Sequence, residues 1–155
     1  MGSQDKYAKY VERVRIFKGL SSREVEDFLH CGKIIHFREG QTVFHEGMLG
    51  NNLFIVLGGK VAIFKKSRII AHCAVGDTFG EMAVLNNRPR SATASALDDL
   101  KLFTIDEVEL KQVLHRPFGQ KILFNIIHVL SERLENANAR GSDLADRAEL
   151  VGASR

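Results

Sequence analysis

The sequence predicts an α+β fold, a small antiparallel β-structure of barrel, roll or sandwich type with helices before and after it. Three observations lead there. Short β-rich runs punctuated by glycine fill the middle of the chain, apolar residues recur at helical spacing at both ends, and no alternation of strand and helix that would build a parallel sheet is visible. The 155 residues, 45% apolar and 26% charged, suffice for one domain with its own core but not for two full domains.

The first helix is expected over residues 6–16, where Tyr7, Tyr10, Val11 and Val14 lead at helical spacing to Phe17. Ser22 then stands ahead of a second helix carrying Val25, Phe28 and Leu29, and Gly32 suits a left-handed helix end. Strand-like runs follow at 34–37, 42–44, 53–57 and 61–64, with Gly40, Gly47 and Gly58-Gly59 as turn residues between them. Runs at 69–74 and 75–79 continue the pattern, and 91–96 and 101–105 add two more after an interruption. Asp106 opens a helix through Val108, Leu110, Val113 and Leu114, which Pro117 ends.

The long helix after it, from about 118 to 139, carries Leu123, Ile127, Leu130, Leu134 and Ala137 at the alternating steps of a helix-pairing seam. That stripe reads equally well as a dimer seam or as a face covering the β-structure, with Ile126 beside it available to the core. The spacing continues through Gly141, Leu144, Ala148 and Val151, but Gly141-Ser142 is expected to interrupt the helix. The organisation read is therefore a tail at 1–6, one domain at 7–139 and a tail at 140–155.

Composition excludes several classes. The longest apolar stretches are broken well before the roughly 20 residues needed to span a bilayer, and no basic start with a long apolar run marks a secretory leader, so a cytoplasmic protein without membrane association is expected. Cys31 and Cys73, each among apolar or small neighbours, argue for inert buried thiols rather than a disulfide framework. The net charge of +3 is dispersed without a basic block, so nucleic-acid binding by this chain alone is not expected, although the sign suits an anionic ligand. His30, His36, His45, His72, His115 and His128 are scattered over different elements, and no metal site is assigned. Leu57-Gly58-Gly59-Lys60 lacks the first glycine and the hydroxyl residue of a nucleoside-triphosphate loop.

The stretch from Phe79 to Thr93, FGEMAVLNNRPRSAT, is not strand text. Gly80 permits close backbone approach to a ligand, and 81–85 can form a helical turn whose free N–H groups suit a phosphate. Pro89 sets how Arg90 is presented, and the Arg90 fork can hold two phosphate oxygens. A carboxylate beside a phosphate would be repelled unless it faced the sugar, so Glu81 is read as an acceptor for a ribose hydroxyl.

These residues resemble the phosphate-binding cassette of the cyclic-nucleotide-binding family, which includes the bacterial catabolite activator, kinase regulatory subunits and nucleotide-gated channels. The resemblance extends upstream to Phe37-Arg38-Glu39-Gly40-Gln41, Glu46-Gly47, Leu53-Phe54-Ile55-Val56 and Gly59-Lys60-Val61. It implies a β-roll (a double-stranded β-helix, jelly-roll-like) with flanking N-terminal helices, a short cassette helix and a long C-terminal helix. It also implies that Gly80 and Glu81 hold the ribose 2′-hydroxyl, that the backbone of Gly80, Glu81, Met82 and Ala83 with the Arg90 side chain holds the cyclic phosphate, and that Ser91 adds a hydroxyl. In the bacterial activator a Thr-Ser pair on the long helix reads the adenine. Ala137-Asn138 stand there by register in this chain, which leaves Asn136 and Asn138 as candidate base contacts.

The function expected is a regulatory sensor domain that binds cAMP or cGMP, uses no cofactor and catalyses no reaction, and signals through its C-terminal helix to an unidentified protein partner, with homodimerisation through that helix. The alternative is a degenerate β-roll that serves as a dimerisation or interaction scaffold and binds no nucleotide. A DNA-binding regulator is disfavoured because no helix-turn-helix follows the long helix.

Overall fold

The computed structural model describes residues 4–153 of the chain. The N-terminal helices are α1 (Gln4–Arg13) and α2 (Ser22–Leu29), joined through a 3-10 turn at Arg15–Phe17. The strands are β1 (Lys33–Phe37), β2 (Thr42–Phe44), β3 (Asn52–Gly58), β4 (Val61–Lys65), β5 (Arg68–Cys73), β6 (Thr78–Phe79), β7 (Thr93–Ala96) and β8 (Leu100–Asp106). Helix α3 (Glu81–Asn86) interrupts them, and α4 (Glu107–Leu114) and α5 (Gly119–Ala153) close the described chain. Two four-stranded sheets, ordered β1-β8-β3-β6 and β2-β7-β4-β5, are antiparallel throughout, so the α+β roll expected from the sequence is the fold observed.

Strand β3 explains the layering. Successive side chains point to opposite faces of a strand, so Leu53, Ile55 and Leu57 face a helical core while Phe54 and Val56 face the interior of the roll. The helical core adds Val14, Phe17, Phe28, Phe103, Leu110 and Ile122; the roll interior adds Val61, Phe79, Ala94 and Leu102. Both faces of β3 are covered, which is why its sequence reads as a continuous apolar run instead of an alternation.

Several boundaries differ from expectation. The first helix stops at Arg13 because Gly76 packs against the Arg13 carbonyl and accepts the Arg15 N–H at 3.1 Å. Ser21, not Ser22, caps α2: its hydroxyl accepts the Glu24 N–H and the Glu24 carboxylate accepts the Ser21 N–H, both at 3.1 Å. Gly32 does not adopt the left-handed conformation; a Cβ there would lie 2.7 Å from Cε2 of Phe103, so close approach is what requires glycine. Residues 75–77 form a turn in which the Asp77 carboxylate accepts the Ala74 N–H at 2.9 Å, leaving only Thr78–Phe79 as strand. Residues 4–6, expected in a tail, belong to α1, and residues 1–3 lie outside the described chain.

The largest correction concerns α5, a single helix of 35 residues that passes through Gly141-Ser142 without a break. An exposed helical glycine costs only about 1 kcal/mol relative to alanine, and the strong helix formers on either side outweigh it. The expected tail is therefore helical as far as Ala153, and residues 154–155 lie outside the described chain. Ile122, Ile126 and Val129 are buried, the first two in the helical core, whereas Leu123, Ile127 and Leu134 are exposed, and Leu130 packs at the edge of that core. The stripe is thus mostly an outward face, and the residues beside it make the contact with the core. No helix among the described residues is long and apolar enough to cross a membrane.

Candidate functional site

A cavity of about 390 Å³ lies between the second sheet, α3 and α5. Gly80 precedes α3 with φ 80°, and a Cβ there would meet Nη1 of Arg90 at 2.7 Å and the Asn52 carbonyl at 3.1 Å. Both the left-handed conformation and the close packing exclude a side chain. Glu81 then opens α3, whose dipole favours an acidic residue in the first turn.

Arg90 is only 6% exposed. Its Nη1 donates to the Gly80 carbonyl at 2.9 Å and its Nη2 to the Asn52 carbonyl at 3.0 Å. The guanidinium lies 4.2 Å from the ring centroid of Phe44 and 5.5 Å from that of Phe54, and Phe54 stacks on Phe79 at 5.1 Å. Aromatic faces stabilise a desolvated cation, and the two carbonyls use two of the five N–H donors. Burial lowers the Arg90 pKa, with the Glu81 charge acting in the opposite direction. The side chain stays cationic, oriented and only partly satisfied on the cavity wall.

Glu81, 9% exposed, is paired with a residue that sequence reading missed. Nη1 of Arg133, on α5, donates to Oε1 of Glu81 at 2.5 Å, and its Nη2 donates to the Thr78 carbonyl. The Glu81 carboxylate is thus held from α5, while Arg90 is held by backbone carbonyls. Oε2 of Glu81 is buried and has no hydrogen-bond partner. A signal for Arg133 was available: it stands three and four residues before Asn136 and Ala137, hence on the same helical face.

Gly80, Glu81, Met82, Ala83, Arg90 and Ser91 all line the cavity, as does Asn136. Asn138 does not; with 3.6 residues per turn, the face that carries Arg133, Asn136, Ala137 and Arg140 turns Asn138 away. Ile63, Ala71, His72 and Cys73 complete the opposite wall. Burial foremost pushes the Cys73 thiol up to about 11, which makes it a poor nucleophile near neutrality.

A β-roll whose glycine-capped short helix and buried arginine share a cavity with a long helix has the architecture of a nucleotide-sensing regulatory domain. The family model for the cyclic nucleotide-binding domain matches residues 34–116, and the chain belongs to that family. It is 30% identical over 129 residues to the cyclic AMP receptor protein of Thermus thermophilus, covering 79% of this chain and 58% of that protein. It is 28% identical over 141 residues to the cGMP-dependent protein kinase egl-4 of Caenorhabditis briggsae, covering 91% of this chain and 19% of the kinase. The crystal structure of the Thermus thermophilus catabolite activator protein superposes with a TM-score of 0.78 at 29% identity, covering 84% of this chain and 63% of that one. The chain spans less than two thirds of the length of these relatives.

Proposed function

We propose that this chain is a regulatory module that binds a cyclic nucleotide, cAMP or cGMP, and signals to a protein partner through α5. The observation that carries the reading is the pairing of two incomplete groups in one cavity: a buried carboxylate oxygen with no donor, Oε2 of Glu81, and a buried guanidinium with unspent donors, Arg90. The first calls for a hydroxyl and the second for an anion, and a sugar phosphate supplies both. An unpartnered buried acceptor costs about 1–3 kcal/mol, which a ligand hydroxyl would recover.

In this reading Glu81 accepts from the ribose 2′-hydroxyl, the backbone of Gly80, Glu81, Met82 and Ala83 together with Arg90 holds the cyclic phosphate, and Ser91 adds its hydroxyl. Arg133 holds the Glu81 carboxylate from α5, so ligand occupancy and helix position are linked. Signalling is a population shift no larger than the ligand's differential affinity for the two helix positions. The outward stripe of α5 serves as a homodimer seam, and the ligand is read without being chemically changed.

Thermal unfolding of the nucleotide-free chain provides the test. Ligand at a hundred times its Kd adds about 2.7 kcal/mol, so cAMP or cGMP should raise Tm by roughly 5–10 °C. A folded chain whose Tm responds to neither would be the empty scaffold instead.

A further inference from the structure

We infer that the cavity selects guanine over adenine, with Arg140 reading O6 and N7 of the base, so that cGMP is the preferred ligand. This rests on the nucleotide-binding reading above and adds the base to it.

Ribose and phosphate recognition occupy Glu81, Arg90 and Ser91, and Arg133 is committed to Glu81 and Thr78. The polar side chains left on the cavity wall are His72, Asn136 and Arg140. Arg140 lies seven residues beyond Arg133 on α5, which is two turns or about 10 Å along the axis on the same face. Arg140 therefore stands on the cavity wall, further along α5 than the arginine that holds Glu81. Among the described residues Arg140 has no hydrogen-bond or ion-pair partner, whereas Arg90 and Arg133 are both engaged.

A guanidinium carries only donors. The N7 edge of guanine presents two acceptors, N7 and O6, which match that fork; adenine places an amino donor beside N7, which a guanidinium cannot satisfy. Asn136 has both a donor and an acceptor and fits either purine, so it does not discriminate. The only carboxylate on the wall is Glu81, already held by Arg133, so no acidic side chain is available for the N1 and N2 donors of guanine. Selection therefore passes through O6 and N7.

Titration calorimetry of the whole chain and of Arg140→Ala with cGMP, cIMP and cAMP tests this. Cyclic IMP shares O6 and N7 with cGMP but lacks the 2-amino group. In the unaltered chain cGMP and cIMP should bind alike and about ten-fold more tightly than cAMP. Arg140→Ala should weaken both to the level of cAMP and leave cAMP unchanged, and Arg140→Lys, which keeps the charge without the fork, should not restore the preference. Arg140 is exposed, so neither substitution threatens the fold. Equal or tighter binding of cAMP by the unaltered chain, or an equal loss for all three ligands in Arg140→Ala, would overturn the inference while the binding reading stood. Failure of all three to bind the unaltered chain would overturn both.

Discussion

Burying a charge is costly unless the protein supplies what water supplied. Arg90 meets this with two backbone carbonyls and an aromatic floor, and Glu81 with a guanidinium on one oxygen only. Cys73, on the same wall, is a neutral thiol whose ionisation burial opposes. Its folded pKa of about 11 exceeds its ordinary value of 9.0, so the unfolded chain releases this proton first. The corresponding stability is fully present below pH 9 and is lost as pH rises through 11. Denaturant midpoints measured across that window should fall more steeply for the unaltered chain than for Cys73→Ala; parallel profiles would contradict the assignment. The cavity residues from Gly80 to Ser91 were legible in sequence because they are nearly contiguous and each has a distinct chemistry. Arg133 shares a helical face with Asn136, but its meeting with Glu81 depends on how α5 is rotated against the roll, which no local pattern encodes, and the same rotation keeps Asn138 off the cavity wall.

At the scale of elements, hydrophobic pattern located the strands and helices, while tertiary contacts set their ends. The β4-β5 turn shows the limit. Lys66 and Ser67 both have positive φ, at 49° and 66°, in a two-residue turn that usually displays asparagine or glycine, so no residue signal marked it. Gly141 errs in the opposite direction, as a helix breaker in isolation that neighbouring residues override. The outward stripe of α5 is the element with the clearest unmet demand. Leu134 is 62% exposed, whereas Leu130 partly serves the core, so Leu134 isolates the seam from the fold. Sedimentation should give a dimer for the unaltered chain and a monomer for Leu134→Lys, with the same unfolding temperature extrapolated to low concentration. A monomer in both would refute the seam.

Across the whole molecule, two cores share β3, and α5 connects them to the cavity: Ile122 and Ile126 anchor it in the helical core while Arg133 ties it to the cassette. Asn125 strengthens the anchor by donating to the carbonyls of Ile16 and Lys18, both at 2.8 Å. An event at Glu81 is therefore adjacent to α5, as the proposed sensing role requires. Every step of the proposed function depends on Arg90 holding a cyclic phosphate in the cavity. Titration calorimetry of the nucleotide-free chain beside Arg90→Leu tests it most directly. Loss of charge-assisted bonds worth about 1.5–3 kcal/mol each should weaken cAMP or cGMP binding ten-fold or more. Unchanged affinity in a folded Arg90→Leu chain would contradict the account.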